Sequence, residues 1–209
     1  MLLTLPDRRP GGNGITDRRD FLLQAAVLPL AMRRPRALPD RVTLFLGGDV
    51  MTGRGIDQIL PHPSHPRLFE PYVKSAARYV ELAEERHGSL PRRVEYTYVW
   101  GDVLEEVDRV APQARIVNLE TSVTINDEPW PGKGIHYRMH PENVPCLTAA
   151  GIDCCVLANN HVLDWGREGL AETLETLRGA GIQTAGAGRD QGEARAPAVL
   201  NAGANVRVL

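Results

Sequence analysis

Ile152-Asp-Cys-Cys-Val-Leu-Ala158, followed at once by Asn159-Asn160-His161, is the stretch on which the reading of the fold turns. A short, continuous apolar run closed by polar residues reads as a buried strand that delivers side chains at its carboxyl end. On its N-terminal side, Pro141 to Ala150 reads as a short helix that stops at Gly151. On its C-terminal side, Leu170, Leu174 and Leu177 fall at i, i+4 and i+7, and Gly179 to Gly181 ends that helix before a further strand at Ile182 to Ala185.

The same alternation continues toward the N-terminus. Ala114-Arg-Ile-Val-Asn-Leu119 is an apolar run ending on Glu120, and Arg41-Val-Thr-Leu-Phe-Leu-Gly47 is another, read as a buried strand meeting a tight turn at Gly47-Gly48 beside Asp49. Between them, Tyr72, Val73, Ala76, Ala77, Val80 and Ala83 recur at helical spacing from Pro71 to His87, and Val103, Leu104, Val107 and Val110 repeat the period. Strand, helix, strand, helix implies an α/β fold with a largely parallel or mixed sheet covered by helices. Ala198–Asn201 and Val206–Leu209 read as a closing hairpin. The chain stops in mid-strand, as a fragment or a shortened form would.

The 209 residues are 43% hydrophobic and 24% charged, which fits a globular protein and excludes disordered or fibrous classes. Eight arginines against four aspartates in residues 1–41 leave the remainder mildly acidic, so no nucleic-acid partner is expected. Cys146, Cys154 and Cys155 form no C-x-x-C pair and read as buried small hydrophobes. No apolar run reaches the roughly 18 residues of a spanning helix. Residues 1–40 read as an N-terminal extension ahead of a domain at 41–209. Within it, Arg18-Arg19 precedes an apolar stretch from Phe21 to Met32, the order of a twin-arginine export signal. That signal implies the cell envelope, the periplasm or the exterior. A plain Arg/Pro-rich extension or a misplaced start codon is the alternative, and the cytoplasm is then the location.

In open α/β sheets, ligands gather beyond the carboxyl ends of the strands. Three such ends supply Asp49, Glu120 and Asn160-His161. Two carboxylates, an amide oxygen and an imidazole suit a hard-to-borderline divalent cation such as Mn, Mg, Fe or Zn. The cation would offset the repulsion between the carboxylates and activate water, and His161 would move protons at the leaving group. Each residue taken singly also fits an ordinary turn or a solvated strand end. His62 and His65 read as a stiff surface loop, and His136 and His140 as substrate contacts or solvated side chains. The three tryptophans read as core or crevice walls, and Glu81 to Arg86 as a solvated helix face.

Gly47-Gly-Asp-Val-Met51, Val117-Asn-Leu-Glu-Thr121, Lys133-Gly-Ile-His-Tyr137, Ala158-Asn-Asn-His-Val-Leu-Asp-Trp-Gly166 and Ala185-Gly-Ala-Gly188 occur in the order seen in the CapA family, which the chain resembles from Arg41 to Leu209. The resemblance implies poly-gamma-glutamate capsule biosynthesis or export and a layered sandwich of the calcineurin-like metallophosphoesterase type, incomplete at the C-terminus. It implies metal ligation by Asp49, Glu120 and Asn160, a proton-transferring His161, and Asn118 and Asn159 as neighbours in the site. Met51 stands where a histidine ligand is expected, and the family's later histidine blocks have no counterpart. The function this implies is a metal-dependent hydrolase-like protein with a polyanionic or phosphorylated substrate and capsule-synthesis membrane partners. The alternatives are an inactive fragment or assembly component, and a periplasmic binding module of unrelated chemistry.

Overall fold

The computed structural model describes residues 41–203 and 207–208. The extension with its Arg18-Arg19 pair lies outside the described residues. A four-stranded parallel sheet carries the architecture, in the order β1 (Leu44–Val50), β2 (Ala114–Leu119), β5 (Cys154–Val156), β6 (Gln183–Ala185). A small parallel pair, β3 (Ser122–Val123) with β4 (Arg138–Met139), and an antiparallel pair, β7 (Leu200–Asn201) with β8 (Arg207–Val208), complete the strands. The helices are α1 (Arg54–Ile59), α2 (Ala76–His87), α3 (Val103–Val110), α4 (Pro145–Ala149), α5 (Gly166–Gly179) and α6 (Gln191–Arg195). The expected α/β class with a parallel sheet is thus observed.

Alternation along β2 separates the two faces of the sheet. Val117 and Leu119 join Cys155, Leu157, Leu147, Leu174 and Leu177 in the main core, whereas Ala114 and Ile116 meet Cys154, Leu200, Ala198 and Val208 on the opposite face. The three leucines expected at helical spacing in α5 are all buried. Thr173 of the same helix accepts the Val123 N–H at 2.9 Å and so fixes α5 against β3.

Three expectations need correction. The first strand does not end at Gly47 but runs to Val50 through a bulge, with Gly47 opposite Val117 and Asp49 opposite Asn118. The extra residue, Gly48, has open space where a Cβ would stand, so glycine here permits the bulge instead of ending the strand. Nor is this strand buried on both faces: Leu46 is 69% exposed, and β1 lies at the edge of the four-stranded order. Finally, α2 starts at Ala76 and not Pro71, since Ser75 bridges back to Arg67 and holds the preceding segment extended.

All three cysteines are free and buried, as expected. Burial, reinforced by the Asp57 charge, pushes the Cys146 thiol from 9.0 up to about 12, and burial pushes Cys155 and Cys154 up as well. The folded state therefore keeps thiol protons that the unfolded chain releases near pH 9.0, so this contribution to stability is complete below that value and is lost as pH rises toward 12. Urea midpoints are expected to fall across this window, and less steeply in Cys146→Ala. An identical fall in that variant would assign the alkaline loss to other groups.

Candidate functional site

The bulge in β1 positions the first candidate residue. Without it Asp49 would pair opposite Leu119, on the core face, because a shift of one residue moves a strand side chain to the other face. With it Asp49 lies opposite Asn118, and the Asn118 Nδ2–H donates to Asp49 Oδ1 at 2.7 Å. The row continues across the sheet ends. Asn159 Nδ2 donates to Asn118 Oδ1 at 3.0 Å and to the Leu119 carbonyl at 2.9 Å, while Asn159 Oδ1 accepts the His161 backbone N–H at 3.0 Å. This last bond is the local turn by which an asparagine side chain captures the N–H two residues on. It is supported from behind by Gly186 (φ +83°), where a Cβ would stand 2.6 Å from that of Ala158; only glycine lets the end of β6 come so close.

His161 is 5% exposed and held on two sides. Its Nδ1 lies 2.7 Å from Asp164 Oδ2, and the Tyr137 ring stacks on the imidazole with centroids 3.8 Å apart at 18°. Since a carboxylate only accepts, Nδ1 carries the hydrogen and Nε2 is left for chemistry. Nε2 is 3.8 Å from Glu120 Oε1, within ion-pair reach but too far for a direct hydrogen bond. Asp164 has no exposed side-chain surface; it also accepts the Tyr137 backbone N–H at 2.6 Å and pairs with Lys133, whose ammonium donates in addition to the Asn160 carbonyl. One carboxylate thus ties together the turn after β5 and the loop before β4.

The structure brings together Asp49, Asn118 and Asn159 in one hydrogen-bonded row, and Glu120 with His161 in a second cluster, linked through the Asn159–His161 bond. Asn160 is exposed, and its side chain makes no hydrogen bond among the described residues. Asp164, Lys133 and Tyr137 lie inside motifs quoted above but received no role there. The i, i+3 spacing of His161 and Asp164 on one turn was the available signal, whereas nothing in the sequence alone brings Lys133 to that turn.

The fit to a cation follows from which donor atoms are unengaged. Among the described residues Asp49 Oδ2 and the Glu120 carboxylate accept no hydrogen bond, and the Asn160 amide oxygen is also unused. These are hard oxygen donors of the kind Mg or Mn takes, and Glu120 is only 21% exposed, so water alone compensates it incompletely. The amide oxygens of Asn118 and Asn159 are already committed. Among the described residues no three His, Cys, Asp or Glu side chains converge closely enough to hold a metal ion between them.

Three other histidines have contacts of their own away from this cluster. His136 is buried against Phe69 and Trp165, its Nε2 on the Trp130 carbonyl at 3.0 Å, so it is not a solvated side chain. His140 accepts the Glu142 N–H and starts a single 3₁₀ turn, and His62 pairs with Glu142 at 2.9 Å. Trp165 is buried with its Nε1–H on the Tyr137 carbonyl at 2.9 Å, and Trp100 donates to the Cys146 carbonyl at 2.7 Å. An apolar cleft of about 440 Å³ between β1 and α3 lies away from the converging donors and carries no titratable cluster of its own beyond Asp102 and Glu106. No described helix is long and apolar enough to cross a membrane.

Comparison with known proteins places these residues in a context. The family described as Bacterial capsule synthesis protein PGA_cap matches residues 43–209. A protein of Mycobacterium tuberculosis, named a probable polyglutamine synthesis accessory protein, is 48% identical over 171 residues, which is 82% of this chain and 45% of the relative. An uncharacterized protein of Sinorhizobium fredii is 39% identical over 88 residues, 40% of this chain and 19% of its own length. Capsule biosynthesis protein CapA of Bacillus anthracis is 24% identical over 157 residues, 72% of this chain and 29% of the relative. The chain therefore spans about half the length of the Mycobacterium relative, at 45%, and less of the others.

Proposed function

The chain belongs to the bacterial capsule synthesis protein family PGA_cap, and from that premise we propose that it acts in synthesis or export of a polyanionic polymer such as poly-gamma-glutamate, as a metal-dependent hydrolase-like component. The names of the Mycobacterium and Bacillus relatives, a polyglutamine synthesis accessory protein and a capsule biosynthesis protein, support a role in polymer synthesis, and the chemistry of the strand ends supports the hydrolase. The observation that carries the reading is His161 clamped on Asp164, its Nε2 turned toward Glu120 at the carboxyl ends of parallel strands. We further infer a layered sandwich of the calcineurin-like metallophosphoesterase type. The parallel sheet with donors at its strand ends supports this inference.

In this reading Asp49, Glu120 and Asn160 hold a divalent cation, which when bound polarises a phosphoryl or carbonyl oxygen and lowers the pKa of water. The protein's own groups do the rest. Asp164 keeps one hydrogen of His161 on Nδ1, so Nε2 is the atom that takes up a proton and, once it carries it, passes it to the departing oxygen. Lys133 pairs with Asp164 from the side away from His161's Nδ1, on the other carboxylate oxygen. Asn118 and Asn159 keep Asp49 and the His161 turn in register.

The test is Mn binding by calorimetry together with turnover of p-nitrophenyl phosphate and bis(p-nitrophenyl) phosphate. Asp49→Ala is expected to weaken Mn binding at least about tenfold, whereas His161→Ala keeps the metal and loses turnover. Mn binding unchanged in Asp49→Ala, with full turnover in His161→Ala, would refute these roles. A second reading, an assembly component without turnover, is favoured by the lack of three converging His, Cys, Asp or Glu ligands among the described residues. It predicts binding of poly-gamma-glutamate with no Mn-dependent hydrolysis of either phosphate ester.

A further inference from the structure

Behind His161 lies a second arrangement that the proton-transfer roles do not use. The imidazole covers one face of the Tyr137 ring at 3.8 Å, and the Arg54 guanidinium sits over the same ring at 4.6 Å from its centroid. A face already covered by a stacked imidazole has no room for a guanidinium, so Arg54 takes the other face. Arg54 is also 4.9 Å from the Tyr79 ring centroid, which places it between two tyrosines. Its Nη2 pairs with Glu70 at 2.6 Å, and Glu70 in turn accepts the Tyr79 hydroxyl at 2.6 Å. The Glu70 side chain is only 7% exposed.

Burying this ion pair is not free, and the backbone adds a further cost, because Arg54 has φ +49°, an uncommon conformation for a residue with a Cβ. Strain and desolvated charge of this kind persist where the surrounding structure enforces them, and here both serve to hold a guanidinium flat against Tyr137. Tyr137 in turn touches both members of the dyad. Its ring lies on His161 and its backbone N–H donates to Asp164 Oδ2 at 2.6 Å, while its carbonyl is anchored by Trp165.

We propose that Tyr137 and Arg54 are positioning residues for His161: the stack of guanidinium, phenol ring and imidazole blocks rotation of the His161 ring and so keeps Nε2 aimed at the strand ends. The inference rests on reading His161 as the proton-transfer group. Asp164 selects the nitrogen that carries the hydrogen only while the ring faces it, and a single hydrogen bond leaves the ring free to swing away; the stack removes that freedom. Tyr137→Phe keeps the ring and hence the function. Tyr137→Leu and Arg54→Met open the stack from its two sides.

Two measurements on the chain decide the matter. Long-range proton–nitrogen spectra of His161, at a pH where the ring is neutral, are expected to show one sharp Nδ1–H tautomer in the wild type and Tyr137→Phe, and averaged or broadened nitrogens in Tyr137→Leu and Arg54→Met. In steady-state assays of p-nitrophenyl phosphate with Mn, the two disruptive variants are expected to lose about tenfold to a hundredfold in kcat while KM stays within about twofold. An unchanged His161 spectrum in both disruptive variants would overturn the proposal. If Tyr137→Leu does not fold, Arg54→Met decides by the same criterion. Should the wild type turn over no phosphate ester, the spectra still decide on the stack, and only the hydrolase reading falls.

Discussion

Asp164→Asn is expected to cut phosphate-ester turnover by about 10²- to 10⁴-fold while leaving a folded protein. The substitution preserves size and removes one capability, that of accepting at both oxygens. Asp164 Oδ2 accepts from the Tyr137 N–H and from His161 Nδ1, and Oδ1 accepts from Lys133. If the asparagine amide turns its NH₂ toward Lys133, two donors face each other. If it turns the NH₂ toward His161, Nδ1 must become an acceptor and the ring hydrogen moves to Nε2, the wrong tautomer for taking a proton. A buried pair broken on one side costs about 3–5 kcal/mol; here about 2–3 kcal/mol is expected, because Lys133 is 25% exposed and can swing out to water. Urea unfolding measures the second effect and steady-state kinetics the first. Undiminished turnover in a folded Asp164→Asn protein would remove the dyad from the mechanism.

Asp57→Ala is expected to destabilise the fold by about 3–5 kcal/mol and to lower the unfolding temperature by about 6–20 °C. Asp57 is 1% exposed and pairs with no cation among the described residues. Its carboxylate accepts the Ser64 N–H at 2.6 Å, the His140 N–H at 2.9 Å and the Asn143 Nδ2–H at 2.9 Å. Asn143, itself fully buried, passes the connection on by donating to the His62 carbonyl and accepting the His62 N–H. One side chain of α1 therefore holds the loop at 62–64 and the segment after β4. Alanine would leave these buried donors without an acceptor, and the penalty falls on each. A melting temperature within about 2 °C of the wild type would show that the network contributes little.

Much of the sheet was legible because its central strands obey a simple rule. β2 and β5 are short apolar runs ended by polar residues, and α5 carries its leucines at helical spacing. The first strand was harder, since a glycine pair signals a turn and a bulge with equal force; only the pairing with β2 decides between them. α1 has six residues and β3 and β4 two each, too short to express a period. In the site, Asp49, Glu120 and His161 could be named from strand ends and motif order. The row that joins them runs through Asn118 and Asn159, with the Asn160 side chain outside it. Lys133 and Tyr137 reach Asp164 and His161, and Arg54 reaches Tyr137, by tertiary packing across segments far apart in the chain, and no spacing rule encodes that.

The bulge also has a functional meaning on this account. It turns Asp49 out of the core onto the face where Asn118 and the end of β5 converge, so the Gly47-Gly48 pair is part of the site's construction. The same edge strand leaves Leu46 exposed, which shows that the device places a carboxylate without completing the core on that side.

The central claim is that His161 and Asp164 act as one proton-transferring unit, and a double-mutant cycle on turnover tests it most directly. His161→Ala, Asp164→Ala and the double variant are compared with the wild type under saturating Mn. Groups that work together lose most of their effect at the first removal, so the double variant is expected to be no slower than the more impaired single one. Losses that multiply, each residue costing the same whether or not the other is present, would contradict the account.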